Sequence, residues 1–266
     1  MSVASSAPEK VHSGNRTGAV AVVSESILRR LADYAELCRP KIALMTLVSV
    51  CVGFTLASPV VFSGATLAAA MFGVTLLVAA SSILNQCLEH STDAGMPRTA
   101  SRPLPSGRLT LTECCLLATG LTFIGTVVLW QYVNPLTAAA TFLTLLTYVF
   151  AYTVLKTRTS LCTTVGAVPG AMPPVLGWLA AGGQIGPEAL ALFALFFVWQ
   201  FPHFLAIGWI YRREYHSAGL RMLPSFTDRG LRTGVIAVIY AAAFVPVSAM
   251  PAYVGLSGDL SAAAAL

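Results

Sequence analysis

Residues 66–108 read TLAAAMFGVTLLVAASSILNQCLEHSTDAGMPRTASRPLPSGR. The first half, 66–87, carries no charged side chain. About 20 apolar residues in a helix cross a bilayer core, so this run predicts a membrane span. The second half changes character at once. Carboxylates appear at Glu89 and Asp93, then a loop rich in proline and glycine bears Arg98, Arg102 and Arg108. A membrane helix that ends in acid and runs into a stiff basic loop frames everything else.

Six further apolar runs share the pattern, at 42–60, 109–131, 135–155, 161–181, 188–211 and 233–256. The composition agrees. Of 266 residues, 56% are apolar and only 10% charged, against about 25% charged in a soluble domain, and the mean hydropathy is +0.75. An ordinary soluble domain, a disordered chain and a disulfide-rich secreted module are excluded. The predicted fold class is an all-α polytopic membrane protein. The six cysteines form no CxxC pair and read as small buried hydrophobes.

All 16 lysines and arginines fall in the N-terminal segment or in alternate loops, and the intervening loops contain none. The positive-inside rule places the N-terminus and these loops in the cytoplasm. A bacterial inner membrane is expected, with the mitochondrial inner membrane as the alternative. The net charge of +5 then serves anionic lipid or an anionic substrate rather than nucleic acid. Residues 1–40 form an N-terminal cytoplasmic segment, in which Ile27, Leu31, Tyr34 and Cys38 recur at helical spacing and predict an amphipathic surface helix. Residues 41–266 form the transmembrane domain.

Three constellations carry chemistry. Asn85, Glu89 and Asp93 lie four apart and rise along one helix face, at a C-terminus where the macrodipole disfavours anions. Hard oxygen ligands there suit Mg²⁺, which shares phosphate oxygens; a solvated polar helix end is the other reading. With Arg98 and Arg102 beside them, the carboxylates and bases outline a diphosphate site. Tyr152 and Lys156 share a face one turn apart, as a phosphate pair or as an interfacial anchor and a snorkelling lysine. His203 follows Pro202 inside the sixth run, where an ionisable group is a functional candidate or a neutral histidine bonded to a freed carbonyl. Glu214 is the carboxylate near that end.

Taken together these pieces resemble the intramembrane aromatic prenyltransferase superfamily. The resemblance rests on Asn85/Glu89/Asp93, Arg98 with Arg102-Pro-Leu-Pro-Ser-Gly107, Tyr152-x-x-x-Lys156-x-Arg158-Thr159, Pro169-Gly-Ala-x-Pro-Pro174 and Gln200-Phe-Pro-His203-Phe204. Tyr215 and Met222-Leu-Pro224 follow. These motifs narrow it to the protoheme IX farnesyltransferase (heme O synthase) branch. That resemblance implies a nine-helix bundle around a central cavity opening to the cytoplasmic side. It implies transfer of farnesyl from farnesyl diphosphate to the 2-vinyl group of protoheme IX (heme B), with water, giving heme O and diphosphate, with Mg²⁺ as the ion. Asn85, Glu89 and Asp93 would hold metal and diphosphate. Arg98, Arg102, Tyr152, Lys156 and Arg158 would contact phosphate. His203, Tyr211 and Glu214 would stand in the heme and second-motif region. Partners in heme A biosynthesis or oxidase assembly are implied by the family alone. Seven spans against nine, and the chain end at Leu266, lead to the expectation of a C-terminally truncated chain.

A quinone-type prenyltransferase or a transporter stays open on the residues. A transporter predicts polar groups strung across the bilayer, whereas here they crowd at the inner ends.

Overall fold

The computed structural model describes residues 15–57, 63–220 and 230–256, and among these all regular structure is helical. Lys10, Arg221, Arg229, the Met222–Pro224 motif and the chain end after Leu256 lie outside the described residues. We label the helices α1 (Asn15–Cys38), α2 (Pro40–Ala57), α3 (Gly64–Ala94), α4 (Leu111–Tyr132) and α5 (Pro135–Leu155). Then come α6 (Cys162–Ala180), α7 (Pro187–Ile210), α8 (Arg212–Ser217) and α9 (Leu231–Tyr253).

Six of these, α2, α3, α4, α5, α7 and α9, are long and apolar enough to cross a membrane. The seventh predicted span is α6, whose prolines, glycines and threonines dilute its hydropathy. It lies against α2 and α7, with most of its residues buried. A helix wrapped by others need not be as apolar as one that meets lipid.

The helix ends follow local chemistry. Asn134 caps α5, its Oδ1 accepting from the Thr137 N–H at 2.7 Å while its Nδ2 donates to the Leu179 carbonyl at 2.8 Å. Pro135 occupies the first turn, where its missing N–H costs nothing. Thr110 and Glu113 form a capping box at the start of α4. Glu113 also accepts from Tyr34 and, at 2.5 Å, from Arg30, which docks α1 on α4. The expected apolar stripe of α1 divides. Leu37 is buried and Tyr34 half-buried against the bundle, whereas Ile27, Leu28 and Leu31 are exposed.

One core joins α3, α4 and α5 through Val74, Leu77, Ala80, Ile83, Ala118, Leu129, Leu145 and Val149. A smaller one joins α6 and α7 through Val175, Leu179, Ala189 and Leu192. α9 packs on α7, with Tyr240 stacked on Phe201 at 3.8 Å between ring centroids. All six cysteines are free, and Cys87, Cys114 and Cys162 are buried.

Lipid supplies no hydrophobic drive between helices, so close backbone approach carries association. α2 and α6 meet in this way. A Cβ on Gly177 would lie 2.0 Å from the Val50 carbonyl oxygen, and one on Gly53 only 1.9 Å from that of Pro174. Backbone cannot step aside as a side chain can. Gly177→Ala is therefore expected to destabilise the bundle by about 1–3 kcal/mol, the usual cost of overpacking. Gly120→Ala, which meets open space on α4, should leave stability unchanged. Thermal unfolding of both variants in one detergent checks the pair.

Candidate active site

The apolar run ends at residue 87, and the helix goes on through Asp93 as the four-residue spacing predicts. α3 continues to Ala94, so Asn85, Glu89 and Asp93 project from one unbroken helix. They line a cavity of about 200 Å³ together with Arg98 and Arg102 from the following loop and Tyr152 and Lys156 at the end of α5. The acids and bases meet in pairs. Lys156 Nζ donates to Glu89 Oε1 at 2.8 Å, and Arg102 Nη1 donates to Asp93 Oδ2 at 2.5 Å. The Asp93 side chain is 2% exposed and that of Arg102 17%, so this pair is largely out of water. Burial and the neighbouring Arg39 push the Arg102 guanidinium below its ordinary pKa, against the pull of Asp93.

The loop holds its shape through successive turns. The Thr99 hydroxyl donates to the Asp93 carbonyl at 2.8 Å. Arg108 turns away from the cavity, donating to Asp33, to Glu36 at 3.2 Å and to the Ser101 carbonyl at 2.7 Å. Arg98 covers the Tyr211 ring at 4.8 Å, and its Nε lies 4.0 Å from Glu214 Oε2. Tyr211 and Glu214 thus stand behind Arg98 rather than in the cavity wall.

α5 carries a π-helical turn over Thr147–Tyr152, a feature common at functional sites. Tyr148, Tyr152 and Lys156 all line the cavity, and Lys156 Nζ sits 4.5 Å above the Tyr152 ring. Gly166 of α6 makes room for that ring: a Cβ there would stand 2.6 Å from it.

Two more predicted site residues, like Tyr211 and Glu214, are not brought to the cavity. α5 ends at Leu155 and the chain turns, the Arg158 N–H reaching back to the Leu155 carbonyl at 3.0 Å, so Arg158 is exposed. His203 is exposed as well. It lies two residues after the buried Phe201, about 200° round the helix, and stacks on Trp199 at 4.7 Å.

Other lining residues went unassigned in the sequence. Thr92, Met96, Tyr148, Tyr215 and Leu220 contribute, and so does Arg39. Arg39 has a φ of 51°, unusual for a residue with a Cβ. This left-handed joint between α1 and α2 turns a base that reads as a topology signal into part of the wall. Burial raises the Tyr215 phenol above its ordinary pKa.

A polytopic helical bundle with acids and bases converging at one end is the architecture of an intramembrane prenyltransferase. The UbiA prenyltransferase family model matches residues 46–266, and the chain belongs to that family; it is an integral membrane protein. It is 41% identical to the protoheme IX farnesyltransferase of Solibacter usitatus (strain Ellin6076), over 89% of this chain and 84% of the relative. It is 39% identical to that of Koribacter versatilis (strain Ellin345), over 94% and 82%. The fold is similar to a solved UbiA homolog from Archaeoglobus fulgidus bound to DMAPP and Mg²⁺, with a TM-score of 0.71, 16% identity and coverage of 88% and 82%.

Gly166→Ala is expected to displace Tyr152. A misplacement of about 1 Å in a site costs up to about 100-fold in rate, so turnover should fall toward that figure while the protein elutes normally on size exclusion. A prenyl-transfer assay on the purified variant reads it.

Proposed function

We propose that this chain transfers the farnesyl group of farnesyl diphosphate to the 2-vinyl group of protoheme IX, with water, releasing heme O and diphosphate, in a Mg²⁺-dependent reaction. The observation that carries the reading is the pairing of Glu89 and Asp93 with Lys156 and Arg102 around one small polar cavity. The names of its relatives supply the acceptor.

The donor set fits a hard divalent ion. Asn85, Glu89 and Asp93 offer amide and carboxylate oxygens and too few of them to fill six positions, which leaves places for water and diphosphate. Bound there, the ion would neutralise charge on the diphosphate as the allylic C–O bond breaks.

The rest is done by the chain. Arg98, Arg102 and Lys156 supply fixed positive charge where negative charge develops on the leaving group, usually the largest catalytic contribution. Tyr152 offers a phenol to the same phosphates. Asp93 and Glu89 hold Arg102 and Lys156 in place, so no reorganisation accompanies departure. The farnesyl cation is trapped by the vinyl carbon, and water adds to the resulting centre with loss of a proton. Apolar helix walls keep other water away. We assign His203, Tyr211 and Glu214 to the heme side, with the exposed imidazole free to meet the iron, a propionate or a proton.

We place the chain in a bacterial inner membrane with its N-terminus in the cytoplasm, because its bases share one face. Exposed Ile27, Leu28 and Leu31, beside Arg29 and Arg30, fit α1 to the headgroup region of the inner leaflet.

The test is conversion of heme B to heme O by the purified chain in lipid nanodiscs, with farnesyl diphosphate, with and without Mg²⁺. Product is expected only with the ion. Asp93→Ala should remove turnover while the protein stays folded in the membrane. Prenylation of 4-hydroxybenzoate instead of heme would overturn the acceptor, and full activity in Asp93→Ala would overturn the metal assignment.

A further inference from the structure

A carboxamide has one end that holds a hard cation, its oxygen, and one that cannot, its NH₂. Asn85 is 1% exposed and lines the cavity, so its orientation decides whether it can serve a metal at all. On its far side, Asn85 Nδ2 donates to Thr153 Oγ1 at 3.1 Å. The Thr153 hydroxyl has a single proton, and that proton goes to the Tyr148 carbonyl at 3.0 Å. With its donor engaged, Thr153 Oγ1 can only accept. The amide must then offer its NH₂ to Thr153 and turn Oδ1 away. Among the described residues no group donates to that oxygen.

The π-helical turn builds this arrangement. Elsewhere on α5, Thr141, Thr144 and Thr147 donate to the carbonyl four residues back, as threonine hydroxyls do in an α-helix. Thr153 alone of these reaches five back, to Tyr148. The widened turn rotates the end of α5 and brings a hydroxyl onto α3 at the height of Asn85. Thr153 itself is 4% exposed and touches neither diphosphate nor metal in the proposed site.

We propose that Thr153 is a positioning residue, which fixes the Asn85 amide with its oxygen toward the metal. This rests on the reading of Asn85 as a metal ligand. Groups that orient metal ligands typically cost about 10- to 100-fold in metal affinity when removed, and that is the size of the effect expected here.

The experiment titrates Mn²⁺ into the full chain in nanodiscs, with an unreactive farnesyl thiodiphosphate present, and follows free Mn²⁺ by electron paramagnetic resonance. Thr153→Val should weaken Mn²⁺ binding by about 10- to 100-fold, and raising the metal concentration should restore its turnover. Thr153→Ser keeps the hydroxyl and should bind as the native chain does. Asn85→Ala should weaken binding at least as much, and adding Thr153→Val to it should change nothing further. Native-like binding in Thr153→Val, with Asn85→Ala weakened, overturns the role of Thr153 and leaves Asn85 as a ligand. Equal losses in the valine and serine variants overturn it too, because packing rather than the hydroxyl would then be at work. Native-like binding in Asn85→Ala overturns the ligand reading itself.

Discussion

The structure depends on two ion pairs at one end of the bundle, Glu89 with Lys156 and Asp93 with Arg102. Carboxylates at the end of a helix face its negative pole, and here they also leave bulk water. A carboxylate left there without a base would carry an uncompensated charge out of water. The bases that settle them come from two different directions, the end of α5 and the loop after α3. One electrostatic requirement therefore joins three segments and leaves acid and base around the same small space. A diphosphate, with or without its ion, enters a place already organised by charge.

The loop from Gly95 to Thr110 shows how such a place is kept stiff. Its three arginines have separate duties. Arg102 faces Asp93, Arg98 leans on Tyr211 and Glu214, and Arg108 grips Asp33 and Glu36 of α1. Turns closed by Thr99 and by Ser106, whose hydroxyl donates to the Arg102 carbonyl at 2.7 Å, set which way each one points. α1 is thereby held by the same loop that forms the cavity wall, and its own last residues lead through the left-handed Arg39 back into that wall.

The spans and the four-residue spacing of Asn85, Glu89 and Asp93 were legible in the sequence, because hydropathy and helical periodicity survive folding unchanged. What was not legible depends on how helices turn and meet. The π-helical turn leaves no mark in composition, yet it adds Tyr148 to the wall. Arg158 looked like a partner of Lys156 until the end of α5 turned it outward. His203 carried the strongest intrinsic signal in its span, but a helix of nearly uniform hydropathy does not say which side faces inward. Gly166 and Gly177 are small residues among many until the ring or the backbone opposite them is seen.

The size of the cavity bears on how two substrates meet. About 200 Å³ is below the roughly 300–1,000 Å³ of sites that enclose a drug-sized ligand. It suits a diphosphate and an ion. In the proposed reaction the acceptor would meet the prenyl carbon at the edge of this chamber. In the proposed assignment of His203 to the heme side, its exposed ring, stacked on Trp199, would present an edge nitrogen to that acceptor. Separating the charged chamber from the acceptor's approach also protects the chemistry. The leaving group stays among arginines and lysine, while the cation forms toward an apolar partner that excludes the water able to quench it.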